Sequence, residues 1–279
     1  MTSPEELLDL ALKAARAAAE LVRERAAEGV TVAATKSSEV DVVTQADRDS
    51  EALIRSIIGA ARPDDSFLGE EGGLSHGTAA GTSEVRWVVD PIDGTVNFLY
   101  GIPRYAVSIA AELARPGGEP EVEPSVVVGV VIDVPHGIEF TARRTDDGIV
   151  ARRDNKPVRV RERAPLGQRL LATGFNYDAD LRRAQAEALV RLLPRVRDVR
   201  RAGAAALDIC DVAAGRVDGY FEEGVHPWDY AAASLVARGA GARFEIVTGA
   251  GGAPLVICAP EHGFDETREA LVQSGYMRE

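Results

Sequence analysis

Apolar residues recur every three to four positions over two long stretches near the start of the chain, which is the spacing of an amphipathic helix. The first stretch follows Ser3, which can form a capping box with Glu6, and Pro4 suits the first helical turn. The second stretch covers residues 44–61 and ends before Pro63. The pattern therefore predicts two helices at the start of the fold.

Short apolar or alternating runs bounded by turn residues follow these helices, and such runs are typical of β-strands. They cover residues 66–69, 85–89, 105–113, 125–134 and 137–142. Two segments between them, 72–83 and 114–120, are rich in glycine together with small residues or proline. These two segments are predicted to be loops.

Strand-like runs alternate with helical runs in the second half of the chain. The predicted strands are 170–173, 196–200, 219–222, 242–247 and 255–258, and the predicted helices are 179–193, 204–214, 227–238 and 260–274. Such alternation places helices on both faces of a sheet. We predict an α/β (α+β) layered sandwich of alternating helix and sheet layers. Its N-terminal half would be residues 1–150, its C-terminal half residues 151–279, and the site would lie at their seam.

Composition and charge exclude several classes of protein. Of the 279 residues, 46% are hydrophobic, which is enough for a sizeable core. The net charge of -12 argues against a nucleic-acid partner, because such proteins carry a basic surface. The densest basic pairs, which begin at Arg143 and Arg152, are followed closely by aspartates and are interpreted as a solvated face.

Neither a signal peptide nor a membrane partner is predicted from the sequence. No basic segment precedes an apolar run at the start, and no apolar stretch approaches the ~20 residues that a membrane span needs. Cys210 and Cys258 lie within apolar runs, and we interpret them as buried free thiols in a reducing compartment. We therefore expect a cytoplasmic protein.

The most informative segment is 87–98, where an apolar strand leads into Asp90 and Asp93 follows three residues later. Because Pro91 and Gly94 turn the chain at the end of the strand, the two carboxylates can converge on one point. Backbone N–H groups that follow Asp93 suit a phosphate. Hard oxygen ligands beside anion-binding amides predict a magnesium–phosphate site.

Two further acidic segments are candidates to join this site. Glu70 and Glu71 follow the predicted strand 66–69, and we expect one of them to point at the metals while the other packs or hydrogen-bonds nearby. Asp229 stands in the first turn of the helix that Pro227 can open. Each acid alone is more often a solvated turn or a helix-dipole partner. Three such clusters together favour a shared site.

These segments resemble the inositol monophosphatase family, and the matches keep their order across nearly the whole chain. The resemblance implies an inositol monophosphatase-like sugar phosphatase fold and a homodimer. It also implies a phosphomonoesterase that uses two or three Mg²⁺ ions per site. The motifs that carry it are Lys36-Ser37-Ser38 with Asp41, Thr44 and Asp47, Gly69-Glu70-Glu71, Asp90-Pro91-Ile92-Asp93-Gly94-Thr95, Asn97-Phe98, Gly203-Ala204-Ala205-Ala206-Leu207-Asp208, and Trp228-Asp229.

The resemblance also implies a role for each matching position. The metal ligands would be Glu70, Asp90, the backbone carbonyl of Ile92, Asp93 and Asp229. Asp47 and Thr95 would form a hydrogen-bonded pair that, with Glu70, orients and deprotonates the attacking water. The substrate contacts would be Asp93, Gly94, Thr95, Gly203, Ala204, Ala205, Glu222 and Asp229. Lys36 would lie near the metals on a mobile loop.

The substrate is expected to be a small polyol phosphate, and inositol monophosphate is favoured because the Glu222 carboxylate can accept hydrogen bonds from hydroxyl groups. Histidinol phosphate, fructose 1,6-bisphosphate and nucleotide 3′- or 2′-phosphates remain alternatives, since relatives hydrolyse them. Asn176 stands where many bacterial relatives have proline, and Ala204 where Ser or Thr is common. Both differences leave the substrate open.

Two other functions compete with this interpretation. Haloacid dehalogenase chemistry needs an aspartate nucleophile two residues before Asp93, where Pro91 stands. A non-catalytic binding partner in a transcription complex is the alternative of another class, because some relatives are reported to have that role. The intact set of acids favours the enzyme.

Overall fold

The computed structural model describes residues 3–29, 32–35, 42–78, 83–113 and 126–277. Its helices are α1 (Pro4–Glu28), α2 (Gln45–Ala61), α3 (Thr95–Leu99), α4 (Ala179–Leu192), α5 (Ala205–Ala213), α6 (Pro227–Gly239) and α7 (Phe264–Ser274). Its strands are β1 (Val32–Thr35), β2 (Val42–Thr44), β3 (Ser66–Gly69), β4 (Gly73–Ser75), β5 (Val85–Asp93), β6 (Ala106–Leu113), β7 (Val126–Asp133), β8 (Ile138–Thr145), β9 (Gly148–Arg153), β10 (Lys156–Pro157), β11 (Leu170–Thr173), β12 (Asp198–Arg200), β13 (Gly219–Glu223), β14 (Ala242–Thr248) and β15 (Pro254–Pro260). Short 3₁₀ turns cover Leu166–Gln168, Leu193–Arg195 and Glu261–Gly263.

The strands form two large sheets and one small hairpin. The first sheet has the order β10-β9-β8-β7-β6-β5-β3-β4, and its neighbours are antiparallel except for the parallel pair β3 and β5. The second sheet has the order β12-β11-β13-β15-β14, in which β11 runs parallel to both β12 and β13. Strands β1 and β2 pair separately. The chain passes from the first sheet to the second between β10 and β11.

Helices separate and cover the two sheets. Helices α1 and α2 pack together on one face of the first sheet, and α5 and α6 lie between the two sheets. Helices α4 and α7 cover the outer face of the second sheet. The order of layers is helix, sheet, helix, sheet, helix. This confirms the predicted layered α/β sandwich.

Helix α1 shows how the sequence pattern produces its layer. The Ser3 hydroxyl accepts the Glu6 N–H at 3.2 Å, and Glu6 accepts the Ser3 N–H at 3.1 Å, so the predicted capping box is present. The buried face consists largely of alanines, among them Ala11, Ala15 and Ala18. Small side chains allow the helix to lie close to α2 and to the sheet.

The acidic motif differs from its prediction. The chain does not leave the sheet after Asp90, because β5 continues to Asp93, which pairs with Ala106 after an irregularity. Pro91 has no N–H to donate to the ladder, so regular pairing is interrupted there and resumes two residues later. The irregularity places Asp90 and Asp93 at one end of the sheet.

The structure also differs from the sequence-based prediction in several short or polar segments. Strand β4 lies inside the predicted loop 72–83 and pairs with β3. Strands β9 and β10 were not predicted, and the last helix begins at Phe264 rather than at Pro260. These strands are short or rich in arginine, and therefore carry little hydrophobic alternation.

Both cysteines are buried free thiols, as predicted. In the part of the chain that the structure describes, no helix combines the length and the apolar character that crossing a bilayer requires.

The contact between α6 and β7 depends on a glycine. A Cβ atom added at Gly129 would lie 2.4 Å from the backbone oxygen of Ala232, so only glycine permits this approach. Gly59, in α2, differs because a Cβ atom there would meet nothing within 4 Å.

We predict that Gly129→Ala lowers the free energy of unfolding by roughly 1–3 kcal/mol, because the backbones of β7 and α6 must separate. The matched change Gly59→Ala is expected to raise it by about 0.5–1 kcal/mol, because alanine favours the helix. Urea unfolding measures both values. Equal effects of the two changes would contradict this account of the layer packing.

Candidate functional site

Asp90 and Asp93 lie at the end of β5, where α3 begins. Both side chains are buried. Asp90 Oδ1 accepts the Ile92 N–H at 3.0 Å, which fixes the carboxylate within its own turn. Gly94 starts α3 with a φ of 93°, and a Cβ atom there would lie 3.1 Å from the Gly203 carbonyl oxygen. A glycine is therefore required where the two halves of the chain approach each other.

The two aspartates share their space with acids from other elements. Asp90, Asp93 and Asp229 each offer a carboxylate oxygen, and these oxygens all lie within 4.8 Å of one another. Asp229 stands in the first turn of α6, where its Oδ2 accepts the His226 N–H at 2.6 Å. Glu70 lines the same cavity. The structure therefore brings together the four carboxylates that the sequence proposed.

Burial and mutual repulsion make this cluster unfavourable as four bare anions. Burial raises the pKa of Asp90 and of Asp229 well above the usual range, and neighbouring carboxylates raise both further. Burial also raises the pKa of Asp93 to about 7, although the N–H groups of Ala205 and Ala206 act in the opposite direction. Converging oxygen ligands of this kind are suited to a hard divalent cation.

A hydrogen-bonded pair, buried Asp47 and half-buried Thr95, adjoins the cluster. Thr95 Oγ1 lies 3.0 Å from Asp47 Oδ1 and 3.0 Å from the Ile92 carbonyl oxygen. Asp47 Oδ2 accepts both the N–H and the hydroxyl of Thr44, at 2.8 and 2.5 Å, which fixes the carboxylate. Asp47 is fully buried, and its burial raises its pKa.

Glu51 fixes the turn that carries Glu70, a role that the sequence did not reveal. The Glu51 carboxylate accepts the N–H groups of Glu71 at 2.8 Å and Gly72 at 2.9 Å, and Arg55 Nε lies 2.9 Å from it. Of the two glutamates, Glu70 lines the cavity and Glu71 does not. The sequence did contain a signal for this role of Glu51. Glu51 follows Asp47 by four residues and therefore lies on the same face of α2.

Asp93 also connects the two halves of the chain. Its two carboxylate oxygens accept the N–H groups of Ala205 at 3.0 Å and Ala206 at 2.8 Å, at the start of α5. Asn97 Nδ2 donates to the Ala202 carbonyl oxygen at 2.8 Å. Gly203 and Ala205 consequently line the cavity.

Ala204 is the one predicted substrate contact that the structure does not bring to the cavity. Its side chain is buried, and its Cβ would lie 3.3 Å from a Cβ atom added at Gly94. The backbone turns Ala204 inward as α5 begins, so its methyl group packs under the site. Lys36 and Asp41 lie outside the described residues.

The cavity has a volume of about 290 Å³ and opens between the two sheets. Glu222 lies at one end, where Tyr220 donates its hydroxyl to Glu222 Oε2 at 2.9 Å. Burial raises the pKa of Glu222, whereas the Tyr220 bond and the charge of Arg201 lower it. His226 stacks on Trp228 at the cavity, with ring centroids 4.8 Å apart. Glu222 is therefore positioned beside the acidic cluster, as predicted.

Sequence reasoning missed several residues that line this cavity. They are Phe175, Tyr177, Arg201, Glu223, Gly224 and Val225. Arg201 precedes the predicted Gly203 by two residues, which was the available signal. The others depend on which loops the sheet places side by side, and the local sequence does not contain that information.

Known proteins with similar sequences and structures fit this geometry. The family model described as "Inositol monophosphatase family" matches residues 3–275. An inositol-1-monophosphatase of Mycobacterium bovis is 46% identical over 252 residues, which cover 88% of this chain and 83% of the relative. A protein of Vibrio cholerae named Nus factor SuhB is 38% identical over 240 residues, which cover 85% of this chain and 83% of the relative.

Solved structures agree in fold over the whole chain. The SuhB structure of Mycobacterium tuberculosis has a TM-score of 0.81 at 39% identity and covers 100% of both chains. The inositol monophosphatase structure from Anabaena has a TM-score of 0.76 at 31% identity, over 98% of this chain and 97% of the other. The chain therefore belongs to the inositol monophosphatase family, a family of metal-dependent phosphatases that act on small phosphate esters.

Proposed function

We propose that this chain is a Mg²⁺-dependent phosphomonoesterase that hydrolyses inositol monophosphate to inositol and phosphate. The observation that carries the proposal is the convergence of Asp90, Asp93 and Asp229, whose oxygens lie within 4.8 Å of one another. A cavity large enough for a small ester adjoins these oxygens, and Glu70 and Thr95 also line it.

The residues present fit a set of divalent cations. Carboxylates from three separate segments converge at the cavity, and the raised pKa values of Asp90, Asp93 and Asp229 indicate a strong demand for positive charge. The proposed ligands for two or three Mg²⁺ ions are Glu70, Asp90, the Ile92 carbonyl oxygen, Asp93 and Asp229. When bound, such ions neutralise phosphate oxygens and make water a stronger nucleophile.

Asp47 and Thr95, together with Glu70, are proposed to orient the attacking water and to remove its proton. Thr95 has one hydroxyl hydrogen to donate, toward Asp47 or toward the Ile92 carbonyl. The hydroxyl oxygen can then accept a hydrogen bond from water. Because Thr44 and Thr95 together hold Asp47, the hydroxyl stays in place during the reaction. No covalent nucleophile is needed.

The remaining contacts are proposed to hold the substrate. The backbone of Gly94 and Thr95 would bind phosphate oxygens. The polyol hydroxyls would contact Asp93, Gly203, Ala205, Glu222 and Asp229. Ala204 is buried and would support this pocket from beneath. The carboxylate of Glu222 suits a leaving group rich in hydroxyl donors.

Family membership supports three further proposals. The protein would act in the cytoplasm, it would form a homodimer, and its chain would divide into halves near residue 150.

Two alternatives follow from the same family. Histidinol phosphate, fructose 1,6-bisphosphate or a nucleotide 3′- or 2′-phosphate are other possible substrates. A non-catalytic role as a binding partner in a transcription complex is supported by the relatives named Nus factor SuhB. The complete set of converging acids favours the phosphatase, because a binding surface does not require them.

We predict that Mg²⁺-dependent phosphate release is lost in Asp93→Asn. Asp47→Asn is expected to lower kcat by about 10²–10⁴-fold, because proton transfer from the attacking water is impaired. Asp49→Asn is the matched control, since Asp49 lies on the same helix and pairs with Arg25 instead. Steady-state kinetics measure these changes. A folded wild-type chain that releases phosphate from no ester would support the binding role.

We predict that inositol 1-phosphate has the highest kcat/KM among four esters tested with and without Mg²⁺. The others are histidinol phosphate, fructose 1,6-bisphosphate and NADP. The reason is the hydroxyl-accepting carboxylate of Glu222 within the cavity. Far faster hydrolysis of histidinol phosphate would show that the inositol assignment is wrong, while the proposed catalytic machinery would stand.

We predict that the metal-free protein loses stability as pH rises from about 4 to 7, the range between the unfolded value for aspartate and the Asp93 pKa of about 7. The pKa of Asp93 is higher in the folded protein than in the unfolded chain. Its contribution to the free energy of unfolding is therefore fully present below the unfolded pKa, and it is lost as the carboxylate ionises. Mg²⁺ should restore more stability at pH 8 than at pH 5. Thermal unfolding with a chelator measures the effect.

Asp93→Asn serves as the control for this pH dependence. Removing one ionising group should make the metal-free melting temperature less sensitive to pH and should reduce the shift that Mg²⁺ produces. An unchanged pH profile in this variant would contradict the role of Asp93.

A further inference from the structure

Two chain segments wall the end of the cavity that would receive the leaving group. Residues 174–177 follow β11, and residues 222–224 end β13. Strands β11 and β13 are parallel neighbours, and Thr173 pairs with Phe221, so the two walls leave the same edge of the sheet side by side. The separation of the walls therefore determines the shape of this end of the cavity.

The two walls interlock through glycines. A Cβ atom added at Gly174 would lie 2.0 Å from Glu222 Oε1, and one added at Gly224 would lie 2.1 Å from Asn176 Nδ2. Each wall therefore sets a polar side chain against a glycine of the other. The space in front of each glycine is therefore occupied by a polar side chain of the other wall, so a displacement of the wall 174–177 would change the surroundings of Glu222.

Gln185 connects the two walls from outside the cavity. It lies on α4, and only 3% of its surface is exposed. Its Oε1 accepts the Asn176 N–H at 2.9 Å, and its Nε2 donates to the Glu223 carbonyl oxygen at 3.3 Å. Arg182, on the same helix, donates from Nε to the Asn176 carbonyl oxygen at 2.7 Å. One buried side chain thus bonds the backbone of both walls.

The bond from residue 176 depends on the identity of that residue. Asn176 can donate its backbone N–H, whereas a proline at this position would have none. Gln185 Oε1 would then be buried without this donor, which is unfavourable. Asn176 therefore supplies the backbone N–H that Gln185 Oε1 requires, a role that the sequence did not reveal.

We propose that Gln185 is a positioning residue for substrate specificity. Its side-chain amide holds the walls 174–177 and 222–224 at a fixed separation, so that the cavity distinguishes a six-carbon polyol from smaller leaving groups. The inference rests on the proposed phosphatase function and extends it to a residue that touches neither the substrate nor the acidic cluster. Gln185 acts only through the backbone of Asn176 and Glu223.

The test compares Gln185→Met with wild type on inositol 1-phosphate and on glycerol 2-phosphate, whose three-carbon leaving group is smaller than inositol and offers fewer contacts to the two walls. Methionine keeps the volume and removes both hydrogen bonds. We expect KM for the inositol ester to rise about tenfold, the change that loss of about 1.4 kcal/mol of binding produces. The kcat values and the KM for the glycerol ester should stay within about threefold of wild type, because the acidic cluster is unchanged.

Two further variants separate positioning from general loss of stability. Gln185→Glu keeps an acceptor for the Asn176 N–H and loses the donor to Glu223, so its KM should lie between those of the wild type and Gln185→Met. Leu189→Ala removes packing from the same helix without touching either wall, and should lower the melting temperature with no change in the ratio of the two KM values. An unchanged ratio in Gln185→Met, or an equal change in Leu189→Ala, would overturn the proposal.

Titration with inositol itself separates this proposal from the proposed function. A wild type that hydrolyses neither ester would refute the proposed inositol monophosphatase activity, and the effect of Gln185 on binding would then be measured by calorimetry with inositol and Mg²⁺. We expect about tenfold weaker binding in Gln185→Met, the same loss expected in KM. Equal binding by the two proteins, or no binding by the wild type, would overturn the inference.

Discussion

The carboxylate of Asp93 is the connection on which the site depends. A helix begins with N–H groups that lack partners within the helix, and Ala204, which precedes α5, has no side chain that can accept them. Asp93 accepts hydrogen bonds from two of these N–H groups, those of Ala205 and Ala206, although it lies 112 and 113 residues before them in the chain. The negative charge also suits the positive end of the helix dipole. One side chain therefore joins the end of strand β5 to the start of helix α5 and fixes the position of one relative to the other.

Two of the other acids are fixed by the segments that carry them. Asp90 accepts an N–H from its own turn, and Asp229 accepts the His226 N–H. These backbone donors orient the two carboxylates before any ligand arrives, so little reorganisation is needed on binding. The turn that carries Glu70 is held from α2, by Glu51. This arrangement explains why mutually repelling carboxylates can remain together inside the fold. The surrounding helices and sheets supply the stability that the acids do not.

Local sequence was sufficient for the parts of the molecule whose physics is local. The apolar period of α1, its capping box at Ser3 and the strand-to-acid pattern at Asp90 were all readable. The role of Ala204 and the continuation of β5 were not, because each depends on a partner far along the chain. Gln185 shows the limit most clearly, since a buried glutamine on an amphipathic helix has no distinctive local pattern. Its meaning comes from two backbone groups that the sheet brings together.

The resemblance of the motifs provided what spacing alone could not, namely the expectation that Glu70, Asp47 and Glu222 belong to one site. In the structure, Glu70, which follows β3, and Glu222, in β13, line one cavity, and Asp47, in α2, lies 3.0 Å from Thr95 beside it. Arg201 had no counterpart among the expected residues. It adds positive charge to a cavity whose other charged side chains are mainly acidic.

The edge strands of the first sheet affect how readily two molecules can associate at high concentration. Its outer strands, β4 and β10, are three and two residues long, and β10 ends in Pro157, which has no N–H to offer. Another chain could form only a few hydrogen bonds with such short edge strands, so edge-to-edge association is unfavourable there. In the second sheet, the outer strand β14 is seven residues long but carries Arg243 and Glu245. Charged side chains on that strand disfavour pairing with another chain along β14.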